Sequence, residues 1–246
     1  MSSIIPTPDL FQAKRVLAIQ PHYDDNDIGA GGTLARLAKS GTEIIYLTVT
    51  DDLKGVIDPG VSDEDALIHL ENEQNEAGGI IGVSRQIRLG YPDAGKYDHF
   101  DLRADLIKFI RQIKPDFIFT PDPWLPYESH RDHVETGLAA ASAANLYALP
   151  RLPSSDEKTD REYQIHEVIG VAFYYTREPN TIVDISKFRE GKKEAIKCYR
   201  SQFSPQDIEM LLQVLDYKER EFAEEKGYSH AEVFKVMAPV QLHCGI

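Results

Sequence analysis

The sequence predicts an α/β protein with a mostly parallel sheet covered by helices on both faces, and three observations lead there. Short unbroken apolar runs such as Val16-Leu17-Ala18-Ile19 have the pattern of strands buried on both sides. Segments with apolar residues at helical spacing alternate with these runs along the chain. Chemically capable polar residues follow directly after several of the runs, which is where ligands collect in open α/β sheets.

Taken in order, the run at Val16-Leu17-Ala18-Ile19 ends at Pro21-His22, and Gly29-Ala30-Gly31-Gly32 then feeds a helix that reaches Ser40 and stops at Gly41. A second buried strand covers 44–49 and ends at Thr50-Asp51-Asp52. Ser62-Asp63-Glu64-Asp65 supplies an N-cap and an acidic first turn for a helix to about Gly82. Ile87-Arg88-Leu89 forms a third strand ending at Gly90-Tyr91-Pro92-Asp93. Leu102, Leu106, Ile110 and Ile113 mark a helix over 101–113, and Pro115 opens the strand Phe117-Ile118-Phe119.

An Ala-rich helix follows His133 and ends near Pro150, and the polar stretch 151–162 is expected to be an exposed loop. Strands at 168–175 and 181–185, helices at about 187–200 and 205–226, and a last strand at 233–237 complete the reading. Right-handed crossovers make this a Rossmann-like, doubly wound sheet in a single domain spanning 1–246. The glycine-rich segment after the first strand lacks G-x-G-x-x-G order and follows two aspartates, so close backbone packing accounts for it better than a dinucleotide does.

The 246 residues carry a formal net charge of -13, which argues against nucleic acid or an anionic membrane as partner. No apolar run is long enough to span a membrane, and residues 1–14 lack signal-peptide features, so a cytoplasmic location is expected. Cys198 and Cys244 are too few and too far apart for a disulfide framework or a cysteine zinc site.

Two clusters carry the chemistry: Pro21-His22-Tyr23-Asp24-Asp25 and His130-Arg131-Asp132-His133. A catalytic zinc takes three nitrogen and oxygen ligands and leaves one position for a water whose pKa it lowers to about 7. His22, Asp25 and His133 would supply that set. Five other histidines, His69, His99, His166, His230 and His243, lack comparable acidic company and are read as structural or surface residues.

These clusters resemble the markers of the LmbE/PIG-L family of zinc-dependent N-deacetylases, a Pro-His-Pro-Asp-Asp-Glu turn and a later His-Pro-Asp-His. The likeness continues through Gly31-Gly32-Thr33-Leu34, Gly90-Tyr91-Pro92-Asp93, Lys114-Pro115-Asp116, Val183-Asp184-Ile185, Ser201-Gln202-Phe203 and Ala231-Glu232-Val233-Phe234. The resemblance implies Zn2+ on His22, Asp25 and His133, Asp24 as general base, and His130 as acid or oxyanion stabiliser oriented by Asp132. It also implies an N-acetylglucosamine unit of a small conjugate or short oligosaccharide as substrate, Asp93 as a substrate contact, and a homo-oligomer. Iron or cobalt could replace zinc in such a ligand set.

Three residues depart from the markers: Tyr23 and Arg131 stand where the motifs have proline, and Asn26 where they have glutamate. Trp124 and Tyr127 offer flat faces suited to a pyranose ring, or to packing. Ser201-Gln202 receives a structural or oligomer-contact role. Two other readings stay open: a metal-dependent hydrolase of another amide or ester, and a non-catalytic sugar- or metal-binding module.

Overall fold

The computed structural model describes residues 5–243. Seven strands form one sheet: β1 (Arg15–Gln20), β2 (Glu43–Thr50), β3 (Arg85–Tyr91), β4 (Phe117–Pro121), β5 (Gly170–Tyr174), β6 (Thr181–Asp184) and β7 (Ala231–Met237). Their order is β3-β2-β1-β4-β5-β7-β6. The first five run parallel, in a register that aligns Leu17 with Ile45 on one side and Ile118 on the other. β7 is antiparallel to both β5 and β6. Helices are α1 (Asp25–Lys39), α2 (Asp63–Ile81), α3 (His99–Ile113), α4 (Arg131–Leu146), α5 (Glu157–Glu162), α6 (Arg189–Ile196) and α7 (Pro205–Ala223).

The continuous apolar runs are buried on both faces because alternate side chains point to opposite sides of a strand. Val16 and Ala18 join Tyr46, Phe117, Phe119 and Phe234 under α1, α2 and α6. Leu17 and Ile19 join Leu47, Ile118 and Val171 under α3 and α4. Two cores on one sheet are what the doubly wound pattern requires.

Local signals set the helix ends. Ser62 accepts the Asp65 N–H at the start of α2, and Gly82 closes that helix at φ +93°, a left-handed turn that favours glycine. Ser204 and Asp207 form a capping box on α7, with Pro205 as its first helical residue. The glycine-rich part of α1 is a packing device, as expected: a Cβ on Gly29 would lie 2.4 Å from the Tyr174 ring, and one on Gly32 2.8 Å from Ile185. At the same stretch Glu232 of β7 accepts the Gly32 and Thr33 N–H groups at 2.9 and 2.7 Å and pairs with the buried Lys192 at 2.8 Å.

Some expectations need correction. The stretch 151–162 is not all loop, because Asp156 caps the short helix α5 and Arg111 reaches across from α3 to Asp160 at 2.6 Å. α1 begins at Asp25, four residues before Gly29, and α6 is shorter than expected because the chain turns at Lys197. His99 and His230 do have acidic company, with Glu135 and Asp216 each 3.0 Å away. Cys198 is buried, and Cys244 lies outside the described residues. Among the described residues no helix is long and apolar enough to cross a membrane.

Candidate metal and catalytic centre

β1 lies between β2 and β4, so the chain leaves it toward opposite edges of the sheet and a crevice opens beyond its carboxyl end. The turn 21–25 bridges that crevice. The Pro21 carbonyl accepts both the Thr50 N–H at 3.0 Å and the Thr50 hydroxyl at 2.9 Å. Asp24 caps α1 through its carbonyl, and Asp25 opens the helix, so its carboxylate faces back over the turn and takes the His22 N–H at 3.1 Å. Asn26 is buried and ties the helix to β1, donating to the Ala18 carbonyl at 3.1 Å while its own N–H meets Gln20 at 2.7 Å.

The second cluster arrives from the loop after β4. His130 is the N-cap of α4 and His133 sits in its first turn, so both rings project from one helix start. The rings of His22, His130 and His133 lie within 4.6 to 5.3 Å of one another. His22 Nδ1 is 3.2 Å from one Asp25 oxygen, and His133 Nε2 is 3.4 Å from the other. One ligand atom from each of His22, His130 and His133 lies within 4.8 Å of the others, a grouping able to hold an ion, and Asp25 borders it through His22 and His133. His22 Nε2 and His133 Nδ1 are buried with no hydrogen-bond partner.

The second edge of His22 meets further carboxylates. Its Nε2 lies 3.4 Å from Asp93 and 3.6 Å from Asp132. Asp132 lies 3.9 Å from His130 Nδ1 and accepts Ala94 N–H at 2.8 Å and Tyr97 hydroxyl at 2.9 Å. Asp93 is buried, takes the Lys54 N–H at 2.8 Å and is turned onto His22. Both ring nitrogens of His22 thus face carboxylates, Nδ1 toward Asp25 and Nε2 toward Asp93 and Asp132. The nitrogens and oxygens of His22, Asp93, His130 and Asp132 also lie within 4.8 Å of one another, a second grouping able to hold an ion.

Electrostatics separates the two adjacent aspartates. Burial, then the neighbouring Asp25 and Asp52, push Asp24 well above the usual carboxylate range. Burial works the same way on Asp25, but His133 and His22 outweigh it and hold that carboxyl at about 2. Burial opposes charge on His22, and Asp132, Asp25 and Asp93 reverse this, raising it far above an ordinary imidazole. His130 moves down, through burial and the two other imidazoles, against the pull of Asp132. Burial raises Asp132, but the nearby His22 ring, the Ala94 N–H and the Tyr97 hydroxyl outweigh it and hold that carboxyl at about 2.

Trp124 and Tyr127 lie on the segment between β4 and α4, 56% and 102% exposed, and Trp124 meets Phe173 edge-on at 5.5 Å. The sequence reading missed Tyr175. Its ring stacks on His133 at 6.1 Å and its hydroxyl donates to the Asp25 carbonyl at 3.3 Å, from a backbone at φ +60°. An aromatic residue just beyond the β5 end was the signal available for it.

The model of the family described as PIG-L, GlcNAc-PI de-N-acetylase, matches residues 17–144, from the first strand through the helix that carries His133. The chain belongs to the PIG-L family. It is 34% identical to the diacetylchitobiose deacetylase of Thermococcus kodakarensis, over 94% of this chain and 85% of that protein. Its structure is similar to that of the N,N'-diacetylchitobiose deacetylase from Pyrococcus horikoshii, with a TM-score of 0.86, 36% identity, and coverage of 94% and 86% of the two chains. A 1D-myo-inositol 2-acetamido-2-deoxy-alpha-D-glucopyranoside deacetylase from Kineococcus radiotolerans is 31% identical over 56% of this chain and 47% of its own length.

Proposed function

We propose that this PIG-L family chain is a zinc-dependent hydrolase. It removes the N-acetyl group from an N-acetylglucosamine unit of a short chitin-type oligosaccharide, within a single domain spanning 1–246. The observation that carries this reading is the spacing of His22 Nδ1, the Asp25 carboxylate and His133 Nε2, at 3.2 and 3.4 Å. His22, Asp25 and His133 would hold a divalent cation, which would supply a water of lowered pKa and polarise the amide carbonyl.

Asp24, adjacent to Asp25 and buried, takes the proton from the attacking water and passes it to the amine nitrogen as the C–N bond breaks. The water oxygen ends in acetate and the sugar leaves as a primary amine. His130, half-exposed at the start of α4, donates an N–H to the carbonyl oxygen as charge develops on it. Asp132 and Asp93 hold the far edge of His22, and Asp132 also borders His130. Trp124 and Tyr127 offer exposed faces to the sugar. A phosphate ester would meet Asp24, Asp25, Asp93 and Asp132 together, and this crowd of carboxylates favours a neutral amide.

The test is incubation with N,N'-diacetylchitobiose and with N-acetylglucosamine, read by mass spectrometry and by acetate release. Loss of one acetyl group, abolished by a chelator and restored by Zn2+, is expected. Bound zinc with no amine product from either sugar would overturn the reading.

A further inference from the structure

The turn that carries His22, Asp24 and Asp25 has Tyr23 where the family's marker has proline. A proline ring fixes φ and restricts the residue before it, so it stiffens such a turn by itself. Tyr23 gives up that constraint and gains an N–H. The structure uses the N–H: it donates to Asp52 Oδ2 at 3.0 Å. Asp52 is buried just past the β2 end, with its backbone in the left-handed region at φ +56°.

The same Asp52 oxygen accepts a second bond, from Gln202 Nε2 at 2.5 Å. Gln202 belongs to the Ser201-Gln202-Phe203 stretch, for which the reaction itself gave no role. That stretch is anchored in its turn: Ser201 N–H and hydroxyl donate to Glu73 at 3.1 and 3.0 Å, and the Ser201 carbonyl accepts Ile57 N–H at 2.9 Å. The other side of Tyr23 is held as well, since its carbonyl accepts Tyr199 hydroxyl at 2.9 Å and Gln20 amide at 3.1 Å. Both polar groups of the Tyr23 backbone are therefore tied to distant elements.

We propose that Asp52, held by Gln202, is a positioning residue that fixes the metal-binding turn through the Tyr23 N–H, replacing the constraint of a proline ring. The proposal rests on the metal-centre reading above for its consequence. Asp52 touches neither substrate nor metal in this scheme. It acts by keeping His22 and Asp25 at ligand spacing.

A double-mutant cycle isolates the hydrogen bond. Asp52→Gly removes the carboxylate while suiting the left-handed backbone, and Tyr23→Pro removes the N–H. Any effect of losing the negative charge is present in both backgrounds, whereas the clamp exists only with Tyr23. Zinc(II) affinity of the metal-stripped protein should fall roughly tenfold or more for Asp52→Gly in the natural chain. In the Tyr23→Pro background the loss should be smaller by about threefold or more. An equal loss in both backgrounds overturns the proposal.

Amide exchange gives a metal-independent reading and covers a proline variant that does not fold. In the metal-free parent the Tyr23 proton should be protected, and Asp52→Gly should speed its exchange by roughly tenfold, with Gln202→Ala in between. Unprotected exchange in the parent, or no change in Asp52→Gly, overturns the clamp. A protein that shows the clamp by exchange yet binds no zinc refutes the metal-centre reading instead.

Discussion

The two turns that meet at the end of the sheet are built differently. After β1, Tyr23, Asp24 and Asp25 are buried, and the turn is tied to β2 through the Pro21 carbonyl and, through the Tyr23 backbone, to Asp52 and to the loop between α6 and α7. After β4, Asp122 N–H bonds to the Tyr174 carbonyl, and the bonds beyond it are short-range: Trp124 to Asp122, Glu128 to Leu125, His130 to Glu128. Trp124 and Tyr127 project from that segment into solvent. One side is held by long-range bonds, and the exposed part of the other, 122–128, can yield to a ligand.

Substitutions can break this contrast, beginning with the largest effect. Asp25→Ala removes the carboxylate that faces both His22 and His133, so bound metal and turnover should fall to background, measured by metal content and acetate release. Asp24→Asn should keep the metal and lower kcat by about 10²–10⁴-fold; full turnover would exclude Asp24 as base. Gly29→Ala drives a Cβ into Tyr174 and should cost about 1–3 kcal/mol of stability in urea unfolding.

For the exposed aromatic residues of the β4 segment the effects should be small and confined to binding. Trp124→Ala should raise KM by about two- to tenfold with kcat unchanged, in line with about 0.5–1.5 kcal/mol for an aromatic face. Tyr127→Ala, at a fully exposed side chain, should shift KM by about twofold or less. A large fall in kcat for either variant would mean that this segment is part of the preorganised centre.

Much of this contrast was legible in the residues. The apolar runs of β1, β2 and β4 set the sheet because strands covered on both faces are uniformly apolar, and His22 fell where such a strand ends, whereas His130 comes nine residues after β4 as the N-cap of α4. The direction of β7 was not legible, because an apolar pattern does not encode whether a neighbour runs parallel or antiparallel. Helix α5 was hidden in a polar stretch whose order comes from Arg111 and Gln112 on another helix. The inward turn of Asp93 and the reach of Gln202 to Asp52 are tertiary facts, the latter linking residues 150 apart.

Glu232 gives α1 its late anchor. The carboxylate that docks on Gly32 is made 200 residues after it. Translation at ~5–20 residues per second separates the two by on the order of ten seconds or more. During that interval the newly made α1 exists without the strand that braces its glycine-rich turn, so the packing of that helix is completed only near the end of synthesis.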